Sequence, residues 1–260
     1  MIALPGFADL HCHLMDGMDD GPRSPEESVA LCRSAVQEGA SCSAATVHQL
    51  GSFAHNTRSR ILESFERLQR NLSEAAVDLK IFPSAEWLIE PEWLERFDSI
   101  WPDLLTIADG GKFALIEFAH RVPHHIDQIA RRLADKGVRP VLAHVDRYPE
   151  LFLDPVQIEY LLSDGFIIQL NTDSIDGRCG PEVQKSARRI IQMGLVHLIG
   201  SDGHRPETRP IKLRTAYEQV CKWSGEKTAT LLFSTNTLAL LQGEEPQLPP
   251  RVSWLRRLVS

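Results

Sequence analysis

Seven short apolar segments, each able to form a buried strand, alternate along the chain with amphipathic helical segments. No linker rich in proline, glycine or serine interrupts this alternation. Repeated strand–helix–strand units place consecutive strands parallel, so the pattern predicts one α/β domain with a barrel-like closed sheet. The strands are predicted at Phe7–His13, Ser43–His48, Leu79–Trp87, Phe113–Phe118, Pro140–His144, Phe166–Asn171 and Val196–Ser201.

The helical segments carry clear start and stop signals. Ser24-Pro25-Glu26-Glu27 supplies a cap, a proline for the first turn and two first-turn acids in the expected order. A glycine closes several helices before the next strand, as left-handed caps do. The helices are predicted at Pro25–Glu38, Arg58–Ala76, His125–Lys136, Pro155–Ser163, Pro181–Met193 and Pro206–Trp223. Residues 1–243 are therefore assigned to the barrel.

The last residues, 244–260, differ from the rest of the chain. The stretch from Gln247 to Leu258 is short, basic and marked by two consecutive prolines. We interpret residues 244–260 as a surface tail that packs on the barrel. A docking peptide or a membrane-surface peptide is the alternative.

Composition excludes several classes of protein. The chain has 260 residues and a formal net charge of −7, which argues against general affinity for nucleic acid or an anionic membrane. Its five cysteines are scattered, without a CxxC pair, as expected of reduced thiols in a cytoplasm. Neither a signal peptide nor an apolar run of about 18 residues is apparent, so we expect no membrane span. The oligomeric state stays open.

Histidines and carboxylates fall at the predicted strand ends. His11 and His13 share one face of the first strand, because side chains in a strand alternate with period two. In β/α barrels, functional groups gather at the carboxyl ends of the strands. Singly, each residue could be a core histidine or a paired core carboxylate, but together they predict bound divalent metal ions. The candidates are His11, His13, His48, Glu86, Glu117, His144, Asp202 and His204, together with Asp20 from a glycine-flanked loop.

Other polar residues lack this placement. Asp19 is interpreted as a cap or turn residue, His197 as a core or sheet histidine, and Cys12 as a core residue on the opposite face of the first strand. The remaining histidines are interpreted as surface or loop residues, although His120 lies close after Glu117. They are His55, His120, His124 and His125.

Three other hydrolytic chemistries lack their motifs. A cysteine-based phosphatase needs an arginine six residues after its thiolate, and none of the cysteines has one. The GxSxG and GxxxxGK[ST] patterns of serine hydrolases and P-loop enzymes are missing too. The remaining pattern favours metal-assisted hydrolysis, and a phosphate ester is the expected substrate.

Several segments carry a family resemblance. The chain resembles the PHP (polymerase and histidinol phosphatase) superfamily, and within it the bacterial manganese-dependent protein-tyrosine phosphatases of the CpsB/YwqE type, which act in capsule and exopolysaccharide control. The order and spacing hold from about residue 7 to residue 243. The matching segments are Asp-Leu-His-Cys-His (9–13), Met-Asp-Asp-Gly-Pro (18–22), Ser-Ala-Glu (84–86), Ala-Leu-Ile-Glu-Phe (114–118), Ala-His-Val-Asp-Arg-Tyr (143–148) and Gly-Ser-Asp-Gly-His (200–204).

The resemblance implies a single distorted (β/α)7 barrel of the PHP type with three divalent metal ions. Manganese is favoured, with iron or zinc as alternatives. Arg147 and Arg209 match arginines that the family uses near the phosphate. The implied ligands are His11, His13, Glu86 and Asp202 for the first ion; Glu86, Glu117 and His144 for the second; and Asp20, His48 and His204 for the third.

The expected activity follows from that centre. Four ligand carboxylates against three divalent ions leave a local excess of about +2, which suits a phosphate dianion. The resemblance implies a cytoplasmic protein-tyrosine phosphatase whose substrate is a phosphotyrosine protein, a bacterial tyrosine kinase. Two alternatives stay open: a small-molecule phosphoesterase such as a histidinol-phosphate phosphatase, and a non-catalytic metal-binding PHP module.

Overall fold

The computed structural model describes residues 6–119 and 121–251. His120 and the end of the predicted tail, residues 252–260, lie outside the described residues. Within them, every strand pair is parallel. The strands are β1 Phe7–His13, β2 Ala40–Thr46, β3 His48–Gln49, β4 Lys80–Pro83, β5 Glu86–Ile89, β6 Phe113–Phe118, β7 Arg139–Leu142, β8 Ile167–Asn171 and β9 Leu198–Gly200.

The strands form two sheets that join into one curled layer. One sheet has the order β1-β2-β4 and the other β3-β5-β6-β7-β8-β9. Their outer strands meet just past β9, where the amide of Asp202 donates to the carbonyl of His11 and the amide of His13 donates to that of Gly203, both at 2.8 Å. The predicted α/β class with parallel strands is confirmed, and the sheet is curled.

Two of the predicted strands are wrong in extent, because each is broken in the middle. The predicted Ser43–His48 divides into β2 and β3, since the amide of His48 turns to donate to the Asp19 carboxylate at 2.9 Å. The predicted Leu79–Trp87 divides into β4 and β5 after Pro83, which has no amide hydrogen for a ladder. Pairing resumes where the amide of Glu86 donates to the carbonyl of Val47 at 2.8 Å.

Helices cover the outer face of the sheet. The start of the first helix agrees with the prediction: Ser24 accepts from the amide of Glu27, Pro25 follows, and Gly39 ends the helix at a φ of 105°. The α-helices are α1 Pro25–Glu38, α2 Arg58–Glu74, α3 Trp93–Ile100, α4 Ile126–Ala134, α5 Pro149–Phe152, α6 Pro155–Ser163, α7 Asp173–Asp176, α8 Pro181–Gln192, α9 Arg214–Ser224, α10 Glu226–Thr230 and α11 Asn236–Leu241, with a π-helical turn at Leu231–Thr235.

The predicted helix Pro206–Trp223 is wrong at its start, because α9 begins only at Arg214. Pro210 lies within the predicted span, and a proline in a helix interior removes a hydrogen bond and clashes with the preceding turn. The segment before α9 instead forms a turn closed by a bridge between Arg205 and Arg209. This turn carries Arg209 towards the carboxyl ends of the strands.

Alternate strand residues face two apolar layers. Leu10, Leu115 and Val141 pack inside the curl of the sheet, and residues such as Trp87 and Phe166 pack outside it against the helices. The helices among the described residues are all too short or too polar to cross a bilayer.

The described part of the predicted tail lies at the amino end of the strands. The side chain of Asn236 holds Gln247 through bonds to both its amide and its carbonyl, at 2.9 and 2.7 Å. Arg251 pairs with Glu159 of α6 at 2.9 Å. Residues 244–251 therefore pack on the opposite end of the sheet from the predicted metal ligands.

Candidate metal centre

Four side chains from three different strand ends meet at a single point. His11 and His13 extend from β1, Glu86 begins β5, and Asp202 follows β9. The Nε2 atoms of the two histidines lie 3.2 Å apart. Glu86 Oε2 lies 3.0 and 3.3 Å from them, and Asp202 Oδ1 lies 3.5 and 3.7 Å from them. Ligands about 2.1 Å from a tetrahedral ion stand about 3.4 Å apart, so this spacing fits a metal ion.

A second set gathers around Glu86 and Glu117. The Nε2 atom of His144 lies 2.9 Å from Glu86 Oε1 and 3.3 Å from Glu117 Oε2. Nδ1 of His48 lies 3.2 Å from Glu86 Oε2 and 2.9 Å from Glu117 Oε1. Glu86 therefore faces both sets: its Oε1 faces His144, and its Oε2 faces His48 as well as the two histidines of the first set.

The third set joins His48 and His204 to Asp20. Asp20 Oδ1 lies 3.2 Å from Nε2 of His204 and 3.5 Å from Nε2 of His48. His13 also lies close enough to contribute an atom to this set. The structure thus brings all nine predicted ligand candidates together, although His48 stands between the second and third sets instead of in the third alone.

The hydrogen-bond pattern tests whether this donor set fits cations. Nδ1 of His204 faces the carbonyl of Asp202 at 2.9 Å and therefore carries the hydrogen. Its Nε2 is then a bare lone pair that faces a carboxylate oxygen of Asp20. Within the described residues, His204 Nε2 and His48 Nδ1 are both buried without a hydrogen-bond partner, despite their short contacts with carboxylates. Lone pairs that face carboxylate oxygens across such distances fit divalent cations between them.

The carboxylates strongly perturb the imidazoles. Burial by itself lowers the pKa of a histidine, yet Asp19 raises the pKa of His13 to about 9. Glu117 and Glu86 likewise raise the pKa of His144 to about 10 against the effect of burial. Although burial raises the pKa of Glu86, His11 and the other imidazoles hold it well below its usual range. The cluster therefore attracts positive charge, which metal ions would supply.

Both predicted arginines contact the same carboxylate. Arg147 donates to Asp202 Oδ2 at 2.6 Å, and Arg209 donates to it at 2.8 Å. Arg209 also approaches Asp20 Oδ2 at 3.5 Å. The side chains of Arg147 and Arg209 are 45% and 37% exposed. They line the open side of the cluster, where a bound anion would contact them.

Asp19 does more than the predicted turn. Its Oδ1 does accept from the amide of Gly21 at 2.9 Å, as a turn residue would. Its Oδ2, however, accepts from Nδ1 of His13 at 2.6 Å and from the amide of His48 at 2.9 Å. This contact turns His13 Nε2 towards the cluster. The adjacent pair Asp19-Asp20 was the available sequence signal, because one acid of such a pair can orient a ligand.

Two buried amides, Gln169 and Asn171 of β8, also contact candidate ligands and were not predicted. Gln169 Oε1 lies 3.2 Å from Nδ1 of His11, and Asn171 Nδ2 donates to Asp202 Oδ2 at 2.9 Å. Their spacing of two on a strand, which places them on one face, was the available signal.

The other four histidines among the described residues lie apart from the cluster, as does Cys12. His197 is a core histidine, as predicted: it is 3% exposed, and its Nδ1 accepts from the amide of Ile168 at 3.0 Å. Burial lowers its pKa to about 3, so the ring is neutral. Cys12 is buried in the core, as predicted. His55 and His124 are exposed and His125 is half-buried, as predicted.

Fold and site together define an α/β protein with a curled parallel sheet, in which histidines and carboxylates gather in three groups that could each hold a metal ion. The family model for capsular polysaccharide synthesis, CpsB/CapC, matches residues 7–242. The chain therefore belongs to the CpsB/CapC family.

Relatives match the chain over nearly their whole length. Tyrosine-protein phosphatase YwqE of Bacillus subtilis (strain 168) is 29% identical over 251 residues, which is 96% of this chain and 98% of the relative. Tyrosine-protein phosphatase CpsB of Streptococcus pneumoniae is 29% identical over 242 residues, or 91% and 98% of the two chains. The likeness to these relatives thus extends over more than nine-tenths of the chain.

Solved structures show the same likeness. A chain from a crystallographic study of Bacillus subtilis YwqE and Streptococcus pneumoniae CpsB, described as unique metal-dependent tyrosine phosphatases, matches with a TM-score of 0.85 and 28% identity. The match covers 95% of this chain and 99% of that one. An organophosphorus hydrolase from Deinococcus radiodurans, at a TM-score of 0.55 and 12% identity, is similar in fold alone.

Proposed function

We propose that this chain is a metal-dependent protein-tyrosine phosphatase that hydrolyses the phosphomonoester of phosphotyrosine in a bacterial protein. The observation that carries the proposal is the meeting of His11, His13, Glu86 and Asp202, with ligand atoms 3.0–3.7 Å apart. The likeness to YwqE and CpsB over the whole barrel supports the substrate class.

The ligand sets support three ions. The first ion is assigned to His11, His13, Glu86 and Asp202, and the second to Glu86, Glu117 and His144. The third is assigned to Asp20, His48 and His204, with His13 and His48 near enough to share neighbouring ions. Oxygen and imidazole donors without a thiolate favour manganese, with iron or zinc as alternatives. When bound, such ions supply a water of lowered pKa as nucleophile and neutralise phosphate oxygens.

The chain's own residues would bind and orient the phosphate. Arg147 and Arg209 approach from the open side, and each can make charge-assisted hydrogen bonds to phosphate oxygens. Their shared partner, Asp202 Oδ2, holds both guanidinium groups beside the first set of ligands. Asp202 thus links phosphate recognition to metal binding, because its other oxygen faces His11 and His13.

The barrel itself is proposed to be a distorted (β/α)7 barrel of the PHP type. Counting β2 with β3, and β4 with β5, leaves seven strand segments, and backbone bonds past β9 connect the last segment to the first. We assign residues 1–243 to this barrel and residues 244–260 to the tail.

The biological partner is proposed to be a tyrosine kinase of capsule or exopolysaccharide control, dephosphorylated in the cytoplasm. The family's description, capsular polysaccharide synthesis, supports this setting. The five cysteines, all free and without a disulfide, agree with a reducing compartment.

Elemental analysis of the purified protein, followed by activity assays, tests the proposal. With manganese added, a phosphotyrosine peptide, a phosphoserine peptide and histidinol phosphate are compared as substrates. We expect turnover to be fastest on the phosphotyrosine peptide. Faster turnover of histidinol phosphate would reject the tyrosine-phosphatase assignment, and inertness on all three with metal bound would identify a non-catalytic module.

A further inference from the structure

Gln169 connects two of the proposed ligands through one oxygen atom. Its Oε1 accepts from Nδ1 of His11 at 3.2 Å and from the backbone amide of His144 at 3.0 Å. An amide oxygen only accepts, so Nδ1 of His11 must carry the hydrogen and Nε2 keeps its lone pair for the cluster. Gln169 therefore sets the tautomer of His11 as well as its orientation.

Asn171 extends this connection to a third ligand. Gln169 Nε2 donates to Asn171 Oδ1 at 2.8 Å, and Asn171 Nδ2 donates to Asp202 Oδ2 at 2.9 Å. With Oδ2 engaged, Asp202 presents Oδ1 to His11 and His13. The two amides are 0% and 1% exposed, and all four of their polar side-chain atoms are hydrogen-bonded. Such a fully satisfied buried pair is rigid.

Both ligands at the ends of this connection have strained backbones. His144 has a φ of 33° and Asp202 a φ of 52°, in the left-handed region that is strained for non-glycine residues. The turn at His144 is held by the hydrogen bond that its backbone amide donates to Gln169 Oε1. The side chain of Asp202 is held by Asn171, and its amide by the carbonyl of His11.

Gly200 leaves the space that this pair needs. A Cβ atom there would lie 2.9 Å from the Cβ of His11 and 3.0 Å from Nε2 of Gln169. Its backbone does not require glycine, since its φ is outside the left-handed region. The absence of a side chain at Gly200 is therefore a matter of packing against His11 and Gln169.

We propose that Gln169 and Asn171 are positioning residues that couple the first and second metal sites through one rigid amide pair. The two amides together orient the Nε2 lone pair of His11, hold the backbone turn at His144 and leave Oδ1 of Asp202 free to face the cluster. This inference rests on the ligand roles proposed above. It predicts that loss of the Gln169 oxygen weakens ion binding at both sites.

A Mn²⁺ titration of metal-stripped protein against a chelating fluorophore tests the coupling. Gln169→Met keeps the length and apolar stem of the side chain but removes its acceptor. We expect it to weaken Mn²⁺ binding by about 10–100-fold, the usual effect of losing an outer partner of a ligand. Gln169→Glu restores the acceptor for His11 and His144 but cannot donate to Asn171, so we expect it to recover only part of the affinity. Asn171→Ala, checked for folding by circular dichroism, gives an independent measurement in the same direction.

Asn236→Leu is the matched control. Asn236 is also a buried amide with three hydrogen bonds, but it lies at the amino end of the strands. It should lower the melting temperature and leave Mn²⁺ affinity unchanged. Wild-type Mn²⁺ affinity in both Gln169→Met and Asn171→Ala would overturn this inference and leave the proposed function intact. So would a loss of Mn²⁺ affinity in Asn236→Leu equal to that in the other variants. If wild-type protein binds none of Mn²⁺, Fe²⁺ or Zn²⁺, the proposed function fails first and the inference with it.

Discussion

Buried histidines at the two ends of the sheet have opposite chemistry. At the carboxyl end, Glu117 and Glu86 raise the pKa of His144 to about 10. At the amino end, His197 is just as deeply buried, but burial lowers its pKa to about 3 and the nearby Arg139 acts in the same direction. Burial alone therefore does not identify a ligand. Carboxylates that converge on the ring are what distinguish His144, because they create a site that attracts positive charge.

The two ends also differ in how their hydrogen bonds are completed. His197 Nδ1 accepts a backbone amide, an ordinary core contact. At the carboxyl end, buried lone pairs face carboxylate oxygens and have no hydrogen-bond partner among the residues that the structure describes. His197 thus finds its partner within the fold, whereas the rings at the carboxyl end form groups that could hold cations. Each of the following predictions tests this difference.

Replacing one histidine at each end gives the largest expected contrast. His144→Ala should lower kcat by at least about 100-fold, since even the loss of a ligand's outer partner costs 10–100-fold. His197→Asn keeps an acceptor for the amide of Ile168 and should retain turnover. Steady-state assays on a phosphotyrosine peptide, with circular dichroism to verify folding, measure both. Wild-type turnover and metal content in His144→Ala would remove His144 from the centre.

Removing metal should destabilise the carboxyl end selectively. An ion whose free concentration is 100 times its dissociation constant stabilises the native state by about 2.7 kcal/mol. Without it, Glu86 and Glu117 repel each other. Burial and this repulsion both oppose the contacts with His144 and His48 that hold the pKa of Glu117 below its usual value. Hydrogen exchange with and without a chelator should show faster exchange at the amides of His13 and Asp202, and no change at His197. Equally faster amide exchange at both ends of the sheet would contradict the difference between them.

The arginines should contribute less than a ligand. Arg147→Ala should lower kcat/KM by about 10–100-fold, because a hydrogen bond to a charged group contributes about 1.5–3 kcal/mol. Metal content should stay near that of the wild type, since Asp202 keeps its oxygen towards His11 and His13. Arg178, a half-exposed arginine paired with Asp176, provides the control, and Arg178→Ala should be neutral. An unchanged kcat/KM in Arg147→Ala would mean that Arg147 forms only a surface ion pair.

Much of this arrangement was predictable from sequence because strand ends are local features. The alternation of apolar and polar segments predicted β1 and β6 with their observed bounds, and parallel strands necessarily end on one edge. The convergence of His11, Glu117 and Asp202 follows from that rule alone. Their role as ligands stays a prediction, for which the short distances are the physical support.

What sequence could not predict depends on contacts between distant segments. The break after β2 exists because Asp19, far away in sequence, accepts the amide of His48. The role of Gln169 depends on which way its amide turns, and that is decided by His11 and the backbone of His144. The late start of α9 reflects Pro210, a local signal that the apolar periodicity of the segment obscured.

The smallest expected effect concerns the amino end, where acid should act through His197. Its pKa is about 3 in the folded protein and about 6.5 when unfolded. Below pH 6.5 the unfolded chain therefore binds a proton at this ring and the native protein does not, so the free energy of unfolding falls as pH decreases. The loss is about 1.4 kcal/mol per pH unit, or about 2 kcal/mol at pH 5. Urea unfolding from pH 7.5 to pH 5, done with metal-stripped protein to exclude ligand loss, should give a shallower pH dependence for His197→Asn than for wild type. Parallel curves for the two proteins would mean that His197 accepts a proton in the native state, and the chemical distinction between the two ends would be lost.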